Sequence, residues 1–163
     1  MMTMKSLYKA TMALGFALLA AGAANAQGST DIWTTDFQKA FMTGKMMHMM
    51  DTSHKGMVSR ADYDKYMSSL FDRMDKKHRG MLDKEDFMTV ETGSTDIWTT
   101  DFQKTFRTAE MMHMMDKSGK GMVSKADFMN HMGRIFETLD KDHNGMLEEN
   151  EFMYDKVFGY GNK

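Results

Sequence analysis

The amino-acid sequence predicts an all-α protein whose helices and loops occur in two duplicated halves. Apolar residues recur at helical spacing, as on the stripe that runs from Tyr63 to Met74. Glycines separate the helical stretches, and the chain contains no proline, which suits helices joined by short connections. A long internal repeat indicates that whatever the first half forms, the second half forms again.

The repeat has an offset of 65 residues. The segment Gly28–Lys39 recurs letter for letter as Gly93–Lys104, and the correspondence continues without a gap. In each copy the spacing of a capping box, Thr35 with Gln38 in the first, predicts a helix that runs on to Met50. We therefore expect two domains, residues 27–90 and 91–163.

Residues 1–26 have the composition of a secretory signal peptide. Lys5 and Lys9 precede an apolar stretch that ends in the small-residue pattern Ala24-Asn25-Ala26. Cleavage after Ala26 predicts a periplasmic or secreted chain. No second apolar run long enough to span a bilayer follows, so we expect no membrane association after cleavage.

The composition argues against several classes of function. The formal net charge is -2 and no basic patch is present, so a nucleic-acid partner is not expected. Cysteine is absent, which excludes disulfides, thiolate zinc sites and a cysteine nucleophile. No nucleophile with a neighbouring base can be identified, so we do not expect an enzyme.

The segment Asp140–Glu151, "DKDHNGMLEENE", has the pattern of a calcium-binding loop. Short oxygen side chains alternate at its start, a glycine allows the bend with positive φ, and a glutamate at the end can bind through both oxygens. The residue after this glycine, Met146, contributes its backbone carbonyl. The expected ligands are Asp140, Asp142, Asn144, Met146 through its carbonyl, Glu148 and Glu151.

Three other segments keep the length of this loop and lose ligands. Lys55 and Lys120 stand where the third oxygen ligand is needed, and an ammonium group repels a cation. These two loops are expected to be weak or vestigial, with the remaining ligands Asp51, Ser53, Met57, Ser59 and Asp62 in one and Asp116, Ser118, Met122, Ser124 and Asp127 in the other. The segment Asp75–Asp86 has Lys77 and Arg79 at ligand positions, so it is expected to hold no metal.

These loops resemble those of the EF-hand calcium-binding family. The loops of each half begin only 24 residues apart, which is similar to the short spacing of bacterial periplasmic, lanmodulin-like members. The resemblance implies four EF-hand frames, with short β contacts between the first and fourth loops and between the second and third. A shared helix of about 18 Å would keep the two loops of one half apart. The proline that follows the first ligand in the lanmodulin-like loops is missing, so lanthanide specificity is not expected.

Methionine is unusually abundant, with 23 residues. On a helix, Met46, Met47, Met49 and Met50 form one broad face with His48 opposite, which indicates a packing face. An alternative is a copper(I) site made by Met46, Met49 and Met50 with Met42, because thioethers suit soft ions. The sequence thus favours a calcium sensor or buffer, and the alternative is a periplasmic copper(I)-handling or redox-protective protein. A Met-rich apolar surface also suits a protein partner.

Overall fold

The computed structural model describes residues 32–93 and 98–159. The predicted signal peptide, residues 1–26, lies outside this range. No helix within the described ranges is long and apolar enough to cross a membrane. The elements are α1 Thr35–Phe41, α2 Gly44–Met50, β1 Met57–Ser59, α3 Arg60–Met74, β2 Met81–Asp83, α4 Lys84–Met88, α5 Thr100–Phe106, α6 Ala109–Met115, β3 Met122–Ser124, α7 Lys125–Leu139, β4 Met146–Glu148, α8 Glu149–Phe152 and α9 Tyr154–Phe158.

The all-α prediction, an array of four EF-hand frames, is wrong. The described residues form a mixture of helices and two antiparallel two-stranded sheets. Several helices are also shorter than such frames require, since α4 has five residues and α8 has four. Each strand has only three residues, which is too short for an alternating pattern to be recognised, so the β contacts between loops were expected from the family resemblance alone.

Each sheet joins one strand from each half of the sequence. Strand β1 pairs with β4, where Val58 lies opposite Leu147, and β2 pairs with β3, where Leu82 lies opposite Val123. The loops therefore contact each other in the expected combination, first with fourth and second with third. The two loops of one half stand at opposite ends of α3 or α7, each a 15-residue helix, and cannot reach each other.

The helix predicted from Thr35 to Met50 is divided in two. Helix α1 is capped by Thr34, one residue earlier than expected, and it ends at Phe41. The hydroxyl of Thr43 then accepts a hydrogen bond from the Met46 N–H at 3.2 Å, which starts α2. A threonine oxygen satisfies an exposed backbone donor at a helix start, so the chain turns there and begins a second helix. The same break occurs before α6.

The core is aromatic at its centre and methionine-rich at its ends. Helix α1 packs on α5 and α3 packs on α7, and the rings of Phe37 and Phe106 lie 5.2 Å apart. Burial of each such side chain contributes about 1.5–3 kcal/mol. Within the described chain the methionine faces of α2 and α6 are buried as expected for packing: Met46, Met47, Met50, Met111, Met112 and Met115.

Candidate metal centre

The segment Asp140–Glu151 begins at the end of α7, turns tightly, and continues through β4 into α8. The Asp140 N–H still bonds to the Phe136 carbonyl and completes the last turn of α7. His143 and Gly145 then adopt left-handed backbone conformations, with φ of 58° and 79°. These two residues reverse the chain, so that the side chains before and after the bend face the same space.

Three carboxylates meet in this space. Asp140, Asp142 and Glu151 each offer an oxygen within 4.8 Å of the others, and among the residues described no other group of three acidic or histidine side chains converges in this way. Asp140 and Glu151 are buried, whereas Asp142 is exposed. Negative groups held together away from water repel one another, so a cation between them relieves that repulsion.

Backbone N–H groups fix the two buried carboxylates. Asp140 accepts from the N–H groups of Asn144 at 3.1 Å and Gly145 at 3.0 Å. Glu151 folds back from α8 and accepts from the Lys141 N–H at 2.9 Å and the Glu148 N–H at 3.4 Å. The loop therefore holds its first and last acidic residues in place through its own backbone.

The remaining predicted ligands lie close to this cluster. The Asn144 side-chain N–H donates to Asp142 at 2.9 Å, while its oxygen accepts from the Met146 N–H at 2.7 Å. Met146 and Glu148 belong to β4, and Asn144 also contacts a Glu148 oxygen at 3.5 Å. Coordination by Asn144 thus requires its amide to turn and present the oxygen to the ion.

In the first loop, Asp51–Asp62, the acidic residues have other partners. Asp51 is buried and accepts from the Ser53 hydroxyl at 2.8 Å and the Gly56 N–H at 2.7 Å. Burial opposes ionisation of Asp51, but these hydrogen bonds outweigh it and its pKa is lowered. Asp62 accepts from the hydroxyls of Thr52 and Ser59, and these bonds lower its pKa.

The third loop, Asp116–Asp127, repeats this arrangement. Asp116 accepts from the Ser118 hydroxyl at 2.7 Å, which lowers its pKa, and Asp127 accepts from the Ser124 hydroxyl at 2.7 Å. Asp127 therefore sits at the start of α7 rather than facing Asp116. The other predicted contributors, Met57 and Met122, lie in β1 and β3. Neither loop gathers three carboxylates, and their weak or vestigial binding of calcium stays a prediction.

In the second loop, Asp75–Asp86, side-chain cations of the chain itself face the acidic residues. The Arg79 guanidinium donates to Asp83 at 2.6 Å and also to the buried Asp86. The Lys77 ammonium lies 3.4 Å from an oxygen of each. The Asp86 N–H and Arg79 together hold the pKa of Asp83 well below its usual range. The chain's own cations thus occupy the acidic side of this loop, and the absence of a metal from it stays a prediction.

Arg107 is a buried cation beside the second loop, and sequence reasoning assigned it no role. It is buried, and it donates to the Asp86 carbonyl at 2.6 Å, to the Phe87 carbonyl at 2.9 Å and to the Gln103 side chain at 3.1 Å. Burial lowers its pKa, while nearby Glu91 and Asp86 oppose that shift. The sequence marks Arg107 in one way, because it interrupts the repeat: Met42 stands at the equivalent position of the first half.

The predicted methionine ligands for copper(I) do not share one environment. Met42, Met46 and Met50 are buried in the core, and Met49 is 43% exposed. Binding of one ion by this set requires the packing around α2 to open. The structure instead brings together His48 and His54, whose rings lie 5.8 Å apart.

Comparison of this chain with protein-family models, with curated proteins and with solved structures gave no match. The carboxylate cluster therefore has to be interpreted from its own chemistry.

Proposed function

We propose that this protein is a non-enzymatic calcium-binding protein whose principal site is the loop Asp140–Glu151. The observation that carries the proposal is the convergence of carboxylates from Asp140, Asp142 and Glu151. A cluster made of oxygen donors suits a hard cation, and Ca²⁺ accepts six to eight such ligands in a flexible geometry. Membership of the EF-hand family stays a prediction that rests on the loop pattern.

The ligand set extends beyond the three acidic residues. Asn144 supplies a side-chain oxygen after its amide turns, Met146 supplies its carbonyl, and Glu148 contributes directly or through a water molecule. Glu151 is preorganised, because it already lies against the beginning of the loop. Mg²⁺ is disfavoured, since it demands near-ideal octahedral geometry and keeps several of its waters.

The predicted signal peptide supports action in the periplasm or outside the cell. Calcium sites of extracellular modules work at Kd values of about 10⁻⁴–10⁻³ M, so a single site of modest affinity is sufficient there. Strand β4 of this loop pairs with β1 of the first loop, which gives a route from the ion to the neighbouring loop. That connection favours a sensor over a simple buffer.

Exposed methionines provide a surface for a protein partner. Met49, Met81 and Met146 are 43%, 37% and 36% exposed. Met146 adjoins the proposed ligands, so calcium binding would change the surroundings of at least one of these flexible side chains. Met81 lies in the other sheet, so we propose the exposed side of Met146 in β4 as the contact through which a calcium-dependent partner would bind.

Isothermal titration calorimetry with calcium tests the proposal. The protein is expected to show one principal site, and Glu151→Gln is expected to remove it. Glu149→Gln is the matched control, because it deletes an exposed carboxylate two residues away that faces no other acidic ligand. Absence of calcium binding at millimolar concentrations, or equal loss in both variants, would overturn the proposal.

A further inference from the structure

A second set of metal-ligating side chains lies beside the carboxylate cluster, and only Glu149 of this set belongs to the loop Asp140–Glu151. It lines a cleft of about 220 Å³ between α2 and the first loop on one side and α8 on the other. We name it the α2–α8 cleft. Its lining includes Met47, His48, His54, Glu149 and Met153.

The two histidines of the α2–α8 cleft are spaced for a shared ion. Their ring centroids lie 5.8 Å apart with the planes inclined by 38°. A metal bound to two imidazole nitrogens at about 2.0–2.1 Å puts the ring centroids roughly 5–6.5 Å apart. His48 is held by α2, and His54 is held by a left-handed turn with φ of 55°. Both rings are exposed and accessible.

The donors around these rings select a soft ion. Two carboxylates, Asp51 and Glu149, also line the cleft, but within the described chain neither forms a converging group of three with the pair. Both Asp51 oxygens already accept hydrogen bonds, from the Ser53 hydroxyl and the Gly56 N–H, so thioethers are the next donors to consider. Met47 is buried in the core, whereas Met153 is partly exposed and reaches from the opposite wall of the cleft, with its methyl carbon near Gly44. Imidazole combined with thioether favours copper, and thioether favours its Cu(I) state.

The repeat supplies an internal comparison. The equivalent cleft of the other half is lined by Met88, Met112 and His113, the counterparts of Met153, Met47 and His48. Two ligand-bearing positions differ. Gly119 replaces His54, and Lys84 replaces Glu149. Each cleft also contains an aspartate, Asp116 or Asp51. The second cleft therefore has one imidazole with a lysine beside its aspartate, where the α2–α8 cleft has two imidazoles and two carboxylates that favour a cation.

We propose that the α2–α8 cleft binds one copper(I) ion through the imidazoles of His48 and His54 and the thioether of Met153. Glu149 adds a favourable charge without direct ligation. This site uses none of the proposed calcium ligands. It also differs from the copper(I) site that the sequence offered as an alternative, which used Met42, Met46, Met49 and Met50.

Anaerobic titration of the protein with Cu(I) against a coloured chelator tests the proposal. We expect one equivalent of copper, with X-ray absorption showing two nitrogen ligands and one sulfur ligand. His54→Gly is expected to weaken binding at least tenfold, and it suits the positive φ at that position. Met49→Leu is the control and is expected to change nothing. Unchanged binding in His54→Gly, or loss in Met49→Leu, would overturn the proposal.

The second cleft allows the reciprocal experiment. Gly119→His combined with Lys84→Glu recreates the missing imidazole and charge, and we expect it to raise the copper stoichiometry from one to two. Histidine is tolerated there, because no atom lies within 4 Å of a Cβ at Gly119 and His54 adopts a similar φ. A stoichiometry that stays at one overturns the proposal. Both titrations are repeated with excess calcium, which is expected to leave the copper result unchanged whether or not the calcium proposal holds.

Discussion

Replacement of Arg107 by methionine tests how the second loop is held without an ion. Arg107 is 4% exposed and donates to the carbonyls of Asp86 and Phe87, which end the short helix α4. A cation at a helix C-terminus satisfies carbonyls that have no partner inside the helix. The first half has Met42 at the equivalent position, where it is 1% exposed. Methionine thus fits the space in the repeat and removes only the charge and the donors.

The expected loss follows from the contacts removed. Arg107→Met deletes three hydrogen bonds made by a charged donor, each of which contributes about 1.5–3 kcal/mol. The same change removes the cost of burying a guanidinium, which is reflected in its lowered pKa. The lost hydrogen bonds outweigh the relieved cost of burial, so the free energy of unfolding is expected to decrease by about 2–4 kcal/mol.

Urea denaturation followed by circular dichroism measures this change. Lys104→Met is the matched control, because Lys104 lies on the same helix and its side chain is 65% exposed, so little change is expected. Calcium binding should be the same in Arg107→Met as in the unaltered protein. If Arg107→Met unfolds at the same urea concentration as the unaltered protein, Arg107 does not stabilise the second loop and the reasoning is wrong.

Two further predictions concern charge. Lys77→Asp combined with Arg79→Asn should give the second loop a calcium site, because it replaces the internal cations with oxygen ligands. Calorimetry should detect one more equivalent of bound calcium. An unchanged calcium stoichiometry would contradict the role assigned to those cations. Burial lowers the pKa of His131 in the folded protein. The stability that the neutral, buried imidazole contributes is complete above the unfolded pKa of about 6.5, and it is lost as the pH falls toward the lower pKa of the folded state. The melting temperature should decrease between pH 7 and pH 5, and His131→Gln should flatten that decrease; an equal slope in both proteins would refute it.

Features that depend on neighbouring residues could be predicted from the sequence. The loop Asp140–Glu151 was recognised from its spacing, and the structure brings Asp140, Asp142 and Glu151 together. The buried methionine faces followed from helical periodicity. The length of the shared helix excluded pairing between the two loops of one half, because a rigid helix keeps its two ends apart, whereas the combination of first with fourth and second with third was implied by the family resemblance.

Features that depend on contacts between distant segments could not be predicted. The sheets join residues from opposite halves, such as Val58 with Leu147, and their strands are too short to give a period. Thr43 divided a helix because its hydroxyl capped a second one. The approach of His48 to His54 depends on how the first loop folds back over α2, which helical periodicity does not describe.

The measurement that tests the central claim most directly is a crystal structure of the protein grown with calcium. We predict an anomalous peak inside the loop Asp140–Glu151, with Asp140, Asp142 and Glu151 oxygens about 2.3–2.6 Å from it and the Asn144 amide turned toward it. No peak is expected in the loop Asp75–Asp86. A structure with this ion absent from Asp140–Glu151, or bound instead beside Arg79, would contradict the account.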